Sequence, residues 1–484
     1  MLGLLSLMIL TPILGALVTY FTGKAGTKVV RALALAFSLF ALALSILAYG
    51  SILTENKGAE LNFVEGPYPW IETFKGLSYY IAMDGLSGPL VLITGILTVL
   101  VVLGSYDLIT FREPLYYSLI LFFEGVIFGV FTAQNLFLFF IFYELVLIPM
   151  FLFIGIWGGP KRKYAAIKFL IFTSAGSAFL LLAFMALWIF SPNTLNIPEL
   201  YGKIPFWLQV WASFATLIGF GVKLPIVPLH TWLPDAHVEA PAPISVFLAG
   251  LLLKMGGYGF VRVNIGLLPE ASRELSWIFI TIGLVTMFYG AIVAMIQKDL
   301  KRMIALTSIN HMGYVLLGAF TGNLLGLSGA MFQMFNHAAL IGLLFMLSGY
   351  IHEQAGTRDL TILRGMKQLM PKTSLLLIVG SMAAMGFPTF SSFLSEFMVI
   401  YGAISLNSFY AIAIAVPLIT VGYFMWMMKR AIFTPSLSNH YHDLPSHSFL
   451  HLAAYMLPLI LFLAMPWLML NIINPISAKL IIGG

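Results

Sequence analysis

The sequence contains no cysteine and very little charge. Charged residues make up 9% of its 484 residues, whereas an ordinary soluble domain has about 25%. The lack of cysteine excludes disulfides, thiolate-ligated iron–sulfur clusters and cysteine nucleophiles, and it leaves the redox compartment open. Hydrophobic residues account for 60% of the chain. This composition excludes a soluble globular protein and indicates a membrane protein.

Apolar segments recur along the whole chain, each long enough to cross a bilayer as a helix of about 20 residues. The shorter alternating segments typical of outer-membrane barrels are not found. We therefore predict an all-α, polytopic membrane protein in which 1–484 is a single membrane domain with about 14 transmembrane helices. The first segment lacks a small-residue cleavage pattern and is interpreted as a retained helix rather than a signal peptide. The predicted spans are 2–22, 29–53, 86–106, 114–132, 135–157, 165–190, 207–233, 241–266, 275–296, 303–321, 324–351, 374–403, 408–433 and 449–474.

Lys and Arg fall mainly on one side when alternate loops are compared. The positive-inside rule makes that side cytoplasmic, or its organellar equivalent, and puts both termini on the outer side. The favoured location is a prokaryotic plasma membrane, with a thylakoid or an organellar inner membrane as alternatives. Because topology explains the net charge of +6, it does not indicate nucleic-acid binding. The basic side carries Lys24, Lys28, Arg31, Arg112, Lys161, Arg162, Lys163, Lys298, Lys301, Arg302, Arg358, Arg364, Lys367, Lys372, Lys429 and Arg430, and the other side Lys57, Lys75, Lys203, Arg273 and Lys479.

Two predicted helices are interrupted by proline, at Lys223-Leu-Pro225 and at Gly386-Phe-Pro388. Paired broken helices are typical of transporter repeats, although proline also kinks membrane helices for purely structural reasons. The breaks lie five helices apart, which predicts two inverted five-helix repeats, 114–266 and 275–433. A weak internal similarity agrees, because Phe169, Phe172, Ala175, Leu180 and Leu181 align at a constant offset with Phe332, Phe335, Ala338, Leu343 and Leu344.

Ionisable side chains occur deep inside several apolar spans. A charge in hydrocarbon costs from a few to more than ten kcal/mol, so such residues indicate function. Five of them lie within about three residues of the centres of their spans, and Glu396 is displaced by about 10 Å toward the outer side. This row predicts a lateral proton route that ends in an exit. The six residues are Glu144, Lys223, Lys254, His311, His337 and Glu396.

The residue types in this row suit proton transfer. A Glu–Lys pair restores charge on both partners when they approach and releases it when they separate, and histidines relay protons near neutral pH. Glu144 with Lys223 could instead be a clamp between helices, but a clamp does not need a second lysine, Lys254, at the same depth. His311 and His337 taken singly fit a structural role equally well. Glu124 in the fourth span is an auxiliary candidate without an obvious partner.

Two segments outside the spans contain clusters of polar residues. Segment 54–85 is acidic and is interpreted as an outer loop. Segment 434–448 contains His440, His442 and His447, whose spacing allows a metal site but favours a solvated loop. We predict no metal and no bound cofactor in this chain.

Several motifs along the chain carry a resemblance to one known family. They are Lys223-Leu-Pro-Ile-Val-Pro-Leu-His230-Thr-Trp-Leu-Pro-Asp235-Ala-His237-Val-Glu239-Ala-Pro241, Leu253-Lys254-Met-Gly-Gly-Tyr258, Phe142-Tyr-Glu144-Leu-Val-Leu-Ile-Pro149, Ile156-Trp-Gly-Gly-Pro160, Lys298-Asp-Leu-Lys301-Arg302 and Ser308-Ile-Asn-His311-Met-Gly-Tyr314. In these motifs the chain is similar to the antiporter-like M subunit of respiratory complex I, the subunit 4 or chain M group, and the resemblance covers nearly its whole length. One departure is Gly386-Phe-Pro388-Thr-Phe390, where the family usually has Leu-Pro-Gly.

The resemblance implies a role for each matched residue. It implies a coupled pair in Glu144 and Lys223, a bridging lysine in Lys254 and a terminal acid in Glu396, where L-type and N-type subunits and antiporter homologues usually place lysine. The implied protein is a proton-translocating subunit of an NAD(P)H-type:quinone oxidoreductase whose redox sites lie in other subunits. Implied partners are L-type and N-type subunits, small helical subunits, the lipid bilayer and, indirectly, a peripheral redox arm.

Two other functions stay open on the sequence alone. The chain could be a subunit of a multisubunit sodium/proton antiporter, or a scaffold whose buried charges only hold helices together.

Overall fold

Helices dominate the computed structural model, which describes residues 3–70, 76–191, 194–435 and 441–482. Long apolar runs form them because a helix satisfies all of its backbone hydrogen bonds internally. In the first half of the chain the α-helices are α1 (Leu4–Phe21), α2 (Thr27–Thr54), α3 (Ser87–Leu108), α4 (Glu113–Thr132), α5 (Leu136–Leu145), α6 (Leu147–Trp157), α7 (Arg162–Phe190), α8 (Ile197–Leu200), α9 (Phe206–Lys223), α10 (Trp232–Glu239), α11 (Ala242–Phe247) and α12 (Leu253–Gly259).

The second half of the chain has the same character. Its α-helices are α13 (Pro269–Glu274), α14 (Ser276–Met295), α15 (Leu300–Ala319), α16 (Leu324–Ala355), α17 (Met366–Leu369), α18 (Pro371–Ala384), α19 (Ser391–Leu406), α20 (Ala415–Met428), α21 (Ser446–Ala453), α22 (Leu457–Ala464) and α23 (Trp467–Ile482). Short 3-10 segments are Thr22–Ala25, Ser408–Ile414 and Ala454–Met456, and π-helical segments are Leu248–Leu252, Phe260–Ile265 and Lys429–Phe433.

Eleven helices of the described ranges are long and apolar enough to cross a membrane. The other three predicted spans correspond to α9 with α10, to α15, and to α18 with α19. The all-α, polytopic membrane fold is therefore confirmed, whereas the number of crossings stays a prediction.

Both predicted helix interruptions are present. Helix α9 ends at Lys223 and α10 begins at Trp232, and α18 ends at Ala384 while α19 begins at Ser391. A third break, not predicted, separates α5 from α6 beside Glu144. Pro149 explains it, because proline has no N–H to donate to the carbonyl four residues earlier.

The two predicted repeats have the same order of elements. In each, a long helix, α7 or α16, precedes a broken helix, and the next span contains a π-helical segment. The prolines of the two breaks, Pro225 and Pro388, are separated by the same distance in sequence as Phe169 and Phe332. The inverted relation between 114–266 and 275–433 and the single membrane domain stay predictions.

The acidic segment 54–85 contains a β-hairpin, which corrects the loop interpretation. Strands β1 (Asn62–Pro69) and β2 (Ser78–Met83) are antiparallel. Glu65 on β1 accepts hydrogen bonds from the backbone amides of Leu5 and Ser6 at 2.8 and 3.1 Å. Its carboxylate therefore caps the free N–H groups at the start of α1.

The last predicted span, 449–474, also needs correction. It breaks between Ala464 and Trp467 because Pro466 cannot continue the helix. Helix α23 then packs against the end of α2 and the segment that leads into β1: the Tyr49 hydroxyl donates to the Leu468 carbonyl at 2.7 Å, and Lys479 Nζ donates to the Ala59 carbonyl at 3.4 Å.

Loops rich in Lys and Arg meet at one end of the bundle, which we call the basic face. Asp235 accepts a hydrogen bond from Lys168 at 2.7 Å and lies 3.5 Å from Arg302, and Arg358 lies 3.3 Å from Asp299. The end that carries the hairpin and α23 is called the opposite face.

Candidate functional site

Lys254 lies in the interior on α12, between the two π-helical segments of its span. Such segments widen a helix locally and are frequent at functional sites. The Nζ atom donates to the Ala249 carbonyl at 2.6 Å and lies 2.5 Å from Nδ1 of His337 on α16. The structure thus joins the predicted bridging lysine directly to one predicted relay histidine.

A second histidine and the terminal acid continue from this contact. The rings of His337 and His311 are 5.4 Å apart between centroids and nearly perpendicular, at 86°. Nε2 of His311 lies 3.7 Å from Oε1 of Glu396 on α19. Lys254, His337, His311 and Glu396 therefore form one buried row, which we call the polar row.

Amides and hydroxyls surround the end of the polar row. Gln333 Nε2 lies 3.4 Å from Oε1 of Glu396, and the Ser395 hydroxyl donates to Gln333 Oε1 at 2.5 Å. Asn336 Nδ2 donates to the Ser391 carbonyl at 3.0 Å and to the Ser395 hydroxyl at 2.9 Å. These bonds fix the start of α19 against α16, and so they fix the position of Glu396.

The predicted Glu144–Lys223 pair is not in direct contact. Lys223 Nζ donates to the Tyr143 carbonyl at 2.6 Å and lies 3.3 Å from the centroid of the Tyr143 ring. Glu144 is half-buried, and its Oε1 has no hydrogen-bond partner among the described residues. The ammonium is thus held by the residue next to Glu144 in the chain, and no polar contact within the described ranges joins Lys223 to Lys254.

Glu124 is fully buried on α4, and neither carboxylate oxygen has a hydrogen-bond partner within the described ranges. A buried polar group without a partner needs an explanation, such as protonation or an ordered water. The structure does not connect Glu124 to the polar row, so its auxiliary role stays a prediction.

His237 is a buried histidine that sequence reasoning missed. It lies on α10, its ring stacks on Phe345 with centroids 4.4 Å apart, and neither ring nitrogen has a hydrogen-bond partner in the described ranges. The Ser245 hydroxyl donates to its backbone carbonyl at 3.2 Å. The sequence contained a signal, since His237 belongs to the long motif, but the predicted spans ended at 233 and resumed at 241.

His447, in segment 434–448, lies apart from the polar row. His447 Nε2 is 3.4 Å from Asp107 at the basic face, and His440 lies outside the described residues. Within the described ranges, no group of three or more His, Cys, Asp or Glu side chains could hold a metal ion.

Family comparison agrees with the helical fold and the buried charges. The transmembrane model of the NADH:quinone oxidoreductase/Mrp antiporter family matches residues 133–422, more than half of the chain. This chain belongs to that family. Its match includes all of the predicted site residues except Glu124.

Individual members of the family cover most of the chain. NADH-quinone oxidoreductase subunit M of Rickettsia prowazekii is 37% identical over 418 residues, which are 85% of each protein. NAD(P)H-quinone oxidoreductase chain 4 1 of Synechococcus elongatus is 42% identical over 434 residues, which are 88% of this chain and 80% of the relative. The resemblance to the M or chain 4 group is confirmed, and the protein is an integral, multi-pass membrane protein.

Two solved structures share the fold. A chain of respiratory complex I from Thermus thermophilus with bound NADH matches with a TM-score of 0.89 at 26% identity over 99% of both chains. A chain of the Mrp complex from Dietzia sp. DQ12-45-1b matches with a TM-score of 0.85 at 19% identity, over 99% of this chain and 98% of that one. The second likeness shows the fold alone.

Proposed function

We propose that this chain is a proton-translocating membrane subunit of a complex-I-like, redox-driven pump. The observation that carries the proposal is the polar row, in which Lys254, His337, His311 and Glu396 follow one another through the interior. Proton carriers at such depth are costly and mark ion pathways. Membership of the NADH:quinone oxidoreductase/Mrp antiporter family supports the same function.

Proton movement along the row needs only short steps. Lys254 transfers a proton from Nζ to Nδ1 of His337, which converts the ammonium to a neutral amine and the ring to an imidazolium. Nε2 of His337 and Nδ1 of His311 have no hydrogen-bond partner among the described residues, and a water that bridges these two nitrogens would pass a proton from His337 to His311. His311 then protonates the carboxylate of Glu396 through Nε2 and becomes neutral again. Glu396 releases this proton to the outer side, and the amine of Lys254 takes up the next proton.

Lys223 controls the charge state of the row in this proposal. Its ammonium rests on the Tyr143 carbonyl, while the neighbouring Glu144 carboxylate has an unpaired oxygen. Moving the ammonium from the carbonyl to the carboxylate changes the electric field at Lys254, since charges interact strongly in a medium of low dielectric constant. His237, buried and unpartnered among the described residues, supplies protons from the basic face.

The wider assembly follows from the same proposal. Protons move from the cytoplasmic side, at the basic face, to the outside of a prokaryotic plasma membrane, and both termini lie outside. Partners are L-type and N-type membrane subunits, small helical subunits and, indirectly, the peripheral arm of an electron donor:quinone oxidoreductase. The redox sites lie in those partners, and no cofactor or metal is assigned to this chain.

Single substitutions in the assembled complex test the proposal. Glu144→Ala and Lys223→Ala should abolish donor-driven proton pumping into vesicles, while assembly and donor oxidation by the peripheral arm largely survive. His337→Gln should lower the pumping rate by about a hundredfold, the scale of one lost acid–base group. Full pumping in all three variants contradicts the proposal.

His451 supplies the matched control for His337. Its Nε2 lies 2.7 Å from the Leu100 carbonyl, away from the polar row. His451→Gln should therefore keep pumping near the wild-type rate. Sodium-dependent proton flux in vesicles without any electron donor would instead support the antiporter function.

A further inference from the structure

A second column of polar residues extends along the helix from Lys254 toward the opposite face. Lys254, Tyr258 and Arg262 are spaced four residues apart, which puts them on the same side of their helix. The axial rise places Arg262 about 12 Å from Lys254. All three are buried. This column therefore follows the shortest path that a proton could take along the helix from the polar row to the opposite face.

A bidentate ion pair closes the column. Arg262 donates to the two oxygens of Asp84 at 2.7 and 2.8 Å, and both side chains are at most 2% exposed. Oδ1 of Asp84 also accepts the backbone amides of Leu86 and Ser87 at 3.1 Å, at the start of α3. The pair is therefore fixed by two separate elements of the fold.

The Tyr258 hydroxyl is committed to partners that do not exchange protons. Arg262 Nε donates to it at 3.1 Å, and it donates to the Phe131 carbonyl at 3.1 Å. A guanidinium stays protonated in proteins, and a backbone carbonyl does not carry a proton. The hydroxyl can thus pass no proton from Lys254 outward.

Beyond the pair lies a cavity of about 260 Å³ at the opposite face. Arg262 and Asp84 form part of its wall together with Gln134, Tyr201 and Lys479. A polar space of this size holds water. Water in this cavity would lie beside the ion pair, and among the described residues the pair and Tyr258 separate the cavity from Lys254 along this helix.

We propose that Asp84, Arg262 and Tyr258 form a proton barrier that separates Lys254 from the opposite face and thereby makes Glu396 the exit of the polar row. This inference rests on the proton path proposed above. An arginine fixed in a narrow polar passage excludes protons electrostatically in other membrane proteins. Stability alone does not account for this pair, since buried ion pairs can often be replaced by apolar residues without loss of stability.

Passive proton flux tests the barrier without any redox chemistry. The complex that contains this chain is reconstituted in vesicles, a potassium diffusion potential is imposed with valinomycin, and internal pH is followed with a dye in the absence of an electron donor. Wild-type vesicles should stay tight, and Asp84→Asn or Arg262→Gln should raise the flux by roughly tenfold. Arg262→Lys, which keeps the charge, should restore part of the tightness.

A second bidentate ion pair, less buried than the first, supplies the control, with Arg31 26% exposed and Glu113 6% exposed. Arg31 donates to the two oxygens of Glu113 at 2.7 and 3.0 Å near the basic face, away from this column. Glu113→Gln should cost stability but leave the vesicles tight. Equal leaks in the Glu113 and Asp84 variants would mean that loss of any ion pair loosens the protein enough to leak protons. That result would overturn the proposal.

The route of the leak is tested with Lys254→Met added to Arg262→Gln. The double variant should be tight again, because the leak enters through Lys254; a leak that persists overturns the proposal, as does no leak in either single variant. Should Asp84→Asn and Arg262→Gln fail to assemble, Arg262→Lys is assayed alone. A buried lysine can release its proton whereas an arginine cannot, so a partial leak is expected, and vesicles as tight as wild type contradict the barrier. Pumping by the Glu144 and Lys223 variants tests the proposed function independently of this flux.

Discussion

Glu396 depends on a glycine in the break that precedes its helix. Gly386 has a φ of +67°, and a Cβ atom there would lie 2.7 Å from Oε2 of Glu396. The residue thus combines a left-handed backbone with a close approach, two requirements that only glycine meets. Its Gly-Phe-Pro sequence departs from the usual family pattern, yet it provides the space that the carboxylate occupies.

Gly386→Ala should therefore impair pumping by displacing the terminal acid. The left-handed backbone costs about 1 kcal/mol with a Cβ atom, and the new methyl group moves the Glu396 carboxylate away from His311. Donor-driven pumping should fall severalfold, while donor oxidation persists. Gly322→Ala is the control, because Gly322 has a φ of +66° and nothing within 4 Å of the added atom. If pumping falls equally in the two variants, backbone strain alone is responsible. If neither variant pumps less than wild type, Gly386 is not required for the position of Glu396.

At the scale of elements, a distant carboxylate caps a helix. Asp443 accepts the backbone amides of Lys372 at 2.8 Å and Thr373 at 3.0 Å, in the first turn of α18. These amides have no partner within the helix, and the helix dipole favours an anion there. Partial burial acts to raise the pKa of the Asp443 carboxyl, but the hydrogen bonds from Lys372, Thr373 and Leu444 outweigh it and lower the pKa below its ordinary value.

Acid should release this cap. Because the pKa is lowered in the folded protein, the stabilisation is present above the unfolded value of about 3.9 and is lost as pH falls through the folded value. Relative to an unstructured amide at the same pH, hydrogen exchange at the Lys372 and Thr373 amides should accordingly be slow at neutral pH. Below about pH 4 this protection should decrease. Asp443→Asn should weaken protection by several-fold at neutral pH. Unchanged protection in that variant would contradict the capping role.

Sequence periodicity predicts which elements exist better than where they bend. Hydrophobic length predicts the spans, and proline predicts the breaks after Lys223 and after Ala384. The break beside Glu144 was missed although Pro149 was visible, because an unbroken apolar run conceals it. The hairpin was missed for another reason: its pairing joins residues on the two sides of 71–75, and no local pattern specifies a partner strand.

Depth alone predicted which side chains come together in part of the candidate site, while their roles stay predictions. Three ionisable residues taken from the centres of separate spans, Lys254, His311 and His337, meet in the polar row, because helices that cross one slab place equal depths side by side. Glu396, displaced from the centre of its span, joins the row at His311. Depth does not predict, however, toward which neighbouring helix a side chain points. It could not show that Lys223 contacts Tyr143 rather than Glu144, or that Arg262 is paired with Asp84 from a segment predicted to be a loop.

At the scale of the whole molecule, the polar row joins the two predicted repeats. Lys254 lies in the last span of 114–266, whereas His311, His337 and Glu396 lie in 275–433. Contact between the repeats is thus made at the proton carriers themselves. Any movement of one repeat against the other would change the distance between Lys254 and His337, and so the rate of the first transfer.

A double substitution distinguishes this conducting role from a scaffold of buried charges. If Glu144 and Lys223 only hold helices together, Glu144→Leu with Lys223→Met should restore what either single change destroys, since an apolar pair avoids the cost of leaving one charge buried alone. If they control proton transfer, the double variant should assemble as well as wild type and still fail to pump. Thermal stability of the complex and donor-driven pumping are measured on the same preparations. If both stability and pumping recover, the scaffold is supported. If stability recovers and pumping does not, the two charges are needed for transport.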